Sequence, residues 1–339
     1  MRDLIEITDK ILQNRGLVGV VSSSLFLICL GIYAGKKEIL KKDAAGVLSN
    51  IVLTLSIPAL CVTAFLQDFN REILEEGFNL LIWSFVIHLL LMGAVGVFFF
   101  RHGKEKKTTL EILTAFGGVT VFGIPIAQAL YGDTGIVYAS IYCIAYRVFL
   151  YSYGYAKMAD IHIRKENLLG IFLNPVIIIT FISMGFWAFQ DLMPQVIIGE
   201  RSYSMFRIDK TMFWIFKPLS YLAGLCSPLA WLATGLKLSE SSFKESLTSV
   251  DAWYYSLVKV ILIPVLFYFI INNLSRGGFF PLSPLALRVA MIMLSTPAAS
   301  VVIAYAIKYR KEPEIASKCS LVSTLISIGF LPFIIIFMR

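Results

Sequence analysis

Long apolar runs alternate along this chain with short polar clusters. Runs of about 20 residues, enough to cross a hydrocarbon core, fall at roughly 17–35, 44–66, 77–100, 108–131, 134–156, 167–189, 212–236, 251–272, 281–308 and 314–338. The pattern predicts an all-α integral membrane protein of about ten transmembrane helices. The fourth and ninth runs are interrupted. LTAFGGVTVFGIPIAQALYG breaks around Gly117, Gly118, Gly123 and Pro125, and VAMIMLSTPAASVVIAYAIKY around Ser295, Thr296 and Pro297. Proline removes a backbone donor and clashes with the preceding turn. Unpaired backbone survives at membrane depth only where protein or a water-filled cavity satisfies it. A pair of interrupted spans in corresponding halves is the sequence mark of a secondary transporter's binding site.

A repeat underlies the pattern. Pro58 and Pro228 are 170 residues apart, and Pro125 and Pro297 are 172 apart. Two landmarks at nearly one offset predict two five-span halves, 17–156 and 167–339, joined by a short linker at 157–166. An odd number of spans per half makes the repeat inverted, a 5+5 arrangement in which the two broken helices cross. The chance spacing of prolines, common in membrane helices, is the competing explanation.

Composition agrees with the hydropathy. The chain is 58% hydrophobic and 15% charged, with a mean hydropathy of +0.77. The net charge of +8 reads as basic loops facing an anionic leaflet rather than as a nucleic-acid surface. Loops after odd-numbered spans carry 16 Lys and Arg, the opposite loops and termini 9. The richer side is expected to be cytoplasmic, which places both termini outside a plasma membrane, the inner membrane of a bacterium. Residues 1–16 are amphipathic and of mixed charge, without a signal-peptide cleavage pattern, and read as an interfacial segment. The five cysteines lie in apolar runs without a CxxC pair and read as small buried hydrophobes.

A broken helix offers N–H groups and partial positive charge at one new end, and carbonyls with partial negative charge at the other. Thr120, Ser295, Thr296 and Ser300 add small hydroxyls beside the breaks. The plainer alternative is that Gly and Ser only allow close helix packing. Arg147 lies about ten residues into its span, near the bilayer centre, where an arginine points to function by default. The alternative is a structural Arg tying helix ends together. Lys259 and Arg288 lie shallower and read as snorkelling side chains. No Asp or Glu falls near the middle of any span, which weakens coupling through a mid-membrane carboxylate and favours an anionic substrate. No HExxH, P-loop or GxSxG is present, so no enzymatic chemistry is expected. No cofactor is expected either, with sodium or proton coupling as the open alternative.

The fourth-span GVTVFGIPIAQALYGD, the tail TPAASVVIAYAIKYRKEPEIASKCSLVSTLISIGFLPF and LSNIVLTLSIPAL with Asn50 and Pro58 together resemble the auxin efflux carrier family. That family includes plant auxin exporters and bacterial carriers of dicarboxylates, and its fold is similar to that of sodium/bile-acid symporters and sodium/proton antiporters. The resemblance implies a scaffold domain from helices 1, 2, 6 and 7, and a transport domain from helices 3–5 and 8–10 with crossed broken helices. It also implies frequent dimers. Gly118 stands where the family often has Asn, and the long cytoplasmic insert of many plant members is missing. The expectation is a secondary carrier of a small organic anion, a carboxylate, working by alternating access. Its substrate is expected at Asn50, Gly117, Gly118, Thr120, Gly123, Pro125, Arg147, Ser295, Thr296, Pro297 and Ser300, with no bound metal. The rivals are a sodium- or proton-coupled symporter on the same scaffold and a non-transporting membrane sensor.

Overall fold

A computed structural model describes residues 15–41, 43–161, 175–240 and 243–337. The expected interfacial segment at 1–16 therefore lies almost wholly outside the described residues, as does the second half of the 157–166 linker. The chain forms helices α1 (Arg15–Lys36), α2 (Ala44–Ile51), α3 (Ile57–Ala64), α4 (Arg71–Ala94), α5 (Lys104–Ala115), α6 (Ile124–Phe149), α7 (Tyr155–Ala159) and α8 (Pro175–Ala188). A hairpin of β1 (Gln195–Ile198) and β2 (Arg201–Ser204) follows. Then come α9 (Ile208–Thr211), α10 (Phe213–Gly224), α11 (Cys226–Glu240), α12 (Phe243–Leu247), α13 (Val250–Leu257), α14 (Ile263–Arg276), α15 (Pro284–Leu294), α16 (Ser300–Lys308) and α17 (Pro313–Phe337). Among the described residues five helical stretches are long and apolar enough to cross a membrane, namely Ala44–Ala64, Arg71–Phe99, Ile124–Ala159, Phe213–Ser239 and Val250–Arg276. Shorter apolar helices lie at Leu25–Lys36, Ile178–Ala188 and Pro284–Leu294. The protein is a helical, multi-pass membrane protein; the hairpin is the one departure among these residues from the all-α expectation.

Three prolines explain three local distortions. Widened π-helical turns at Val52–Ser56, Val119–Gly123 and Val258–Leu262 each end two residues before a proline, Pro58, Pro125 and Pro264. Proline has no N–H to give the carbonyl four residues back, and its ring pushes that carbonyl away. The residue before each proline bonds five back instead: Ile57, Ile124 and Ile263 donate to the carbonyls of Val52, Val119 and Val258. The helix continues, with one widened turn. A different device acts at Gly132, whose φ of 59° and ψ of −143° kink the long 124–159 stretch; a glycine tolerates that backbone without a Cβ clash.

Packing then fixes the elements. α1 and α11 meet at glycines, where a methyl added to Gly235 would lie 2.1 Å from the Ile28 carbonyl oxygen and 2.9 Å from Gly31 Cα. The hairpin is pinned by Arg207, whose guanidinium bonds Asp68 at 2.6 Å and Asp209 at 2.9 Å, while Phe186 stacks on Phe206 at 4.2 Å. α4 is tied to the stretch before α15: Trp83 Nε1 donates to the Phe280 carbonyl at 2.9 Å, and Ser283 donates to Glu76 at 2.8 Å. At the other end of the bundle Lys311 pairs with Asp160 at 2.7 Å. That ammonium beside Asp160 holds its carboxyl below the usual carboxylate range.

Candidate functional site at the crossing of two interrupted helices

Helix α5 stops at Ala115, and Phe116 is extended (φ −123°, ψ 101°). Helix α15 stops at Leu294, and regular helix resumes only at Ser300. The two unwound segments meet. Gly117 pairs with Ala298 in an isolated antiparallel bridge, and the Gly118 N–H donates to the Pro297 carbonyl at 2.7 Å. Helix α17 supplies the remaining partners. Ala298 N–H donates to Ser323 Oγ at 3.1 Å, and Ser327 Oγ donates to the Ser295 carbonyl at 2.8 Å. Thr296 Oγ1 donates to the Met293 carbonyl at 2.8 Å. Backbone groups that leave a helix in a buried place must find partners; here each broken segment serves the other.

The approach is close enough to select residue size. A methyl at Gly117 would fall 2.2 Å from Thr296 Oγ1, and one at Gly123 would fall 2.6 Å from Met293 Sδ. At Gly118 the nearest atoms, the Pro297 and Ala298 carbonyl oxygens, would be 3.5 and 3.6 Å away, an ordinary contact that tolerates a methyl. Gly117, Gly118, Gly123, Thr296 and Pro297 are thus brought together, with Ser295 buried beside them and its hydroxyl unpartnered among the described residues. Thr120 is half-buried in the π turn, and Ser300 opens α16.

Three expected residues lie elsewhere. Pro125 is buried at the start of α6, past the break, whereas Pro297 is inside one. The 172-residue spacing therefore joins prolines in unlike places, and Pro125 causes the π turn, not the interruption. Asn50 is exposed on α2; its carbonyl accepts from Thr54 Oγ1 at 2.6 Å, and its neighbour Ser49 faces the crossing instead. Arg147 is 3% exposed, and both terminal nitrogens lack a hydrogen-bond partner among the described residues. It shares a helical stripe with Ser140 and Cys143, and Ser140 contacts Cys61 of α3 at 3.5 Å. Spacings of three, four and seven residues put these on one face, and that face does not line the cavity at the crossing.

That cavity measures about 60 Å³. Gly118 and the Pro297–Ala298 backbone form one wall, α2 and α11 the opposite wall through Ser49, Thr234 and Lys237, and Ser320 and Thr324 of α17 complete it. Lys237 is its charged lining residue, half-buried in the last turn of α11. Lys237 is among the 16 Lys and Arg that the hydropathy pattern assigns to loops after odd-numbered spans. The available signal was its spacing of three from Thr234, which puts both on one helix face. Lys259 also differs from its sequence reading. It does not snorkel: it is 1% exposed, and its Cε would lie 3.1 Å from a methyl at Gly117. The π turn ahead of Pro264 carries it there.

Comparison with known proteins places this geometry. Residues 20–167 match the family described as "Membrane transport protein". A "Putative malonate transporter" of Rhizobium meliloti is 25% identical over 325 residues, covering 92% of this chain and 93% of that relative. An uncharacterized transporter of Methanocaldococcus jannaschii is 23% identical over 240 residues, covering 66% of this chain and 70% of that relative. With a multi-pass helical fold and these matches, the chain is similar to membrane transport proteins over most of its length.

Proposed function

We propose that the chain is a secondary carrier of a small organic anion, a carboxylate, that binds where the two interrupted helices cross. The observation that carries this reading is the cavity itself: one ammonium, Lys237, converges with the hydroxyls of Ser49, Thr234, Ser320 and Thr324 on unwound backbone, and no carboxylate lines the wall. An ammonium beside hydroxyl groups suits a carboxylate, because charge-assisted hydrogen bonds are the strong ones; Thr234 and Thr324 donate to carbonyls of their own helices, so Lys237 carries most of the recognition. The relative named for malonate supports the same substrate class.

Alternating access implies movement. The cavity lies between the two sets of helices, so a bound substrate reaches either side of the membrane only when its walls separate. On this reading α1–α3, α8, α10 and α11 form the scaffold, and α4–α7 with α13–α17 form the moving body, across ten spans in an inverted repeat with both termini outside the plasma membrane. The dividing line runs through the cavity. Arg147 contributes positive potential from α6.

The test is uptake of radiolabelled malonate and other carboxylates into proteoliposomes. Removing a charged hydrogen-bond donor costs about 1.5–3 kcal/mol, so Lys237→Gln should weaken apparent affinity about 10- to 100-fold. Unchanged uptake in both Lys237→Gln and Arg147→Ala would remove the anion site from this crossing.

A further inference from the structure

The crossing has a second side, opposite in polarity to the cavity. Helices α5 and α15 both arrive there by their C-termini, at Ala115 and Leu294. Each C-terminus carries about half a negative charge on its last carbonyls. Two such ends converging in a buried place call for a cation, and neither a loop nor a carboxylate-bound metal is at hand: among the described residues no cluster of His, Cys, Asp or Glu could hold a metal ion.

Lys259 fills that need. The same point in space, the methyl position of Gly117, lies 3.1 Å from Lys259 Cε, 3.0 Å from the Thr296 carbonyl oxygen and 2.2 Å from Thr296 Oγ1. The lysine stem therefore reaches the seam between both breaks. One turn earlier on the same face, Tyr255 donates to the Leu113 carbonyl at 3.1 Å in the last turn of α5. The helix that carries both residues thus sends a hydroxyl to the last turn of α5 and a lysine stem to Gly117 just beyond it. Gly117 is what makes room; a larger residue would meet the Lys259 chain. No carboxylate pairs with Lys259 among the described residues. Its counter-charge is then the helix ends themselves. Next to Thr296 in the same break, the buried Ser295 hydroxyl has no partner among the described residues.

We propose that the Lys259 ammonium is a built-in cation of the crossing, and that shortening its side chain uncovers a latent site for a monovalent metal cation. The ligands would be the Thr296 carbonyl, the Thr296 and Ser295 hydroxyls and the terminal carbonyls of α5. Such neutral oxygens suit a hard monovalent ion. With Lys259 in place the seam is already compensated and needs no sodium. The consequence for transport, that wild-type flux is independent of sodium, rests on the carrier reading above; the site itself does not.

The experiment is thermal unfolding of purified protein, without substrate, in sodium, potassium or choline chloride at equal ionic strength. Wild type should melt at one temperature in all three. Lys259→Ala should melt several degrees lower in choline and recover, saturably, in sodium or potassium. Lys259→Ser, which leaves a hydroxyl ligand, should behave likewise. Lys259→Arg should stay indifferent to the salt, and Lys259→Met, whose apolar chain fills the space without charge, should stay low in every salt. Wild type stabilised by sodium over choline would overturn the proposal even if every variant failed to fold. Folded Ala and Ser variants that ignore sodium and potassium would overturn it too. Because the readout is stability, loss of carboxylate transport in every protein would count against the carrier reading and leave this one standing.

Discussion

Replacing Gly117 by alanine is the sharpest test of the crossing, because its neighbour supplies the control. The added methyl would lie 2.2 Å from Thr296 Oγ1, 3.0 Å from the Thr296 carbonyl and 3.1 Å from Lys259 Cε. Ordinary contact between such atoms is about 3.5 Å. Rotating the Thr296 side chain relieves the first clash but breaks its 2.8 Å bond to the Met293 carbonyl, which costs about 0.5–1.5 kcal/mol. The carbonyl contact remains, and only separation of the two strands removes it. Overpacking of this kind costs about 1–3 kcal/mol; the total is therefore about 1.5–4.5 kcal/mol by simple addition. Gly118→Ala meets nothing closer than 3.5 Å, and its φ of −77° suits any residue, so its stability should match wild type. Its methyl projects into a cavity of about 60 Å³ and should weaken substrate binding instead. Apparent melting temperatures of the two variants in one detergent, read beside uptake, separate the effects. Equal melting temperatures for Gly117→Ala and wild type would refute the close approach of the two breaks.

Two further outcomes follow from the packing. Gly235→Ala should destabilise by about 1–3 kcal/mol, because its methyl would strike backbone of α1 at 2.1 and 2.9 Å; Gly224→Ala, with nothing within 4 Å, should be neutral or gain up to about 1 kcal/mol of helix propensity, and paired thermal melts decide between them. Asp160 is held below its ordinary value by Lys311, so its contribution is present above the ordinary carboxylate range and lost as pH falls through the lowered folded value. Wild type should therefore melt above Asp160→Asn at neutral pH, with the gap closing as the buffer is acidified; a gap that widens in acid contradicts the pairing.

The sequence made the interruptions legible because glycine, proline and small hydroxyls are the residues that leave a helix, and hydropathy showed them inside apolar runs. Their meeting was legible only as an expectation from the repeat, and the landmark chosen for it was partly misleading. Proline has two outcomes at the sites that matter here: at Pro297 it sits in a true break, whereas at Pro58, Pro125 and Pro264 it widens a turn while the helix continues. Spacing alone does not separate them, since the difference lies in whether the residue before the proline finds a carbonyl five back. The two lysines were misread for one reason. Hydropathy puts Lys237 just past the end of a span and Lys259 shallow within one, and position along the chain says nothing of azimuth. The π turn at Val258–Leu262 and the last turn of α11 decide which way each points, toward the crossing in both cases.

That azimuth orders the electrostatics. At the crossing, α5 and α15 end while the π turn at Val119 and helix α16 begin. The ends carry partial negative charge and the beginnings partial positive. Lys259 lies on the side of the ends, where a cation offsets the carbonyls and leaves no surplus to attract an anion. Lys237 lies on the side of the beginnings, with Gly118, Phe122 and Ala298, where its charge adds to the partial positive charge of the helix starts. Two lysines at one crossing thus have opposite consequences, one cancelling a field and one reinforcing it. An anion drawn to the crossing should settle beside Lys237. Exchanging the charge at Lys237 should therefore act on substrate affinity, and removing it at Lys259 on the stability of the crossing itself.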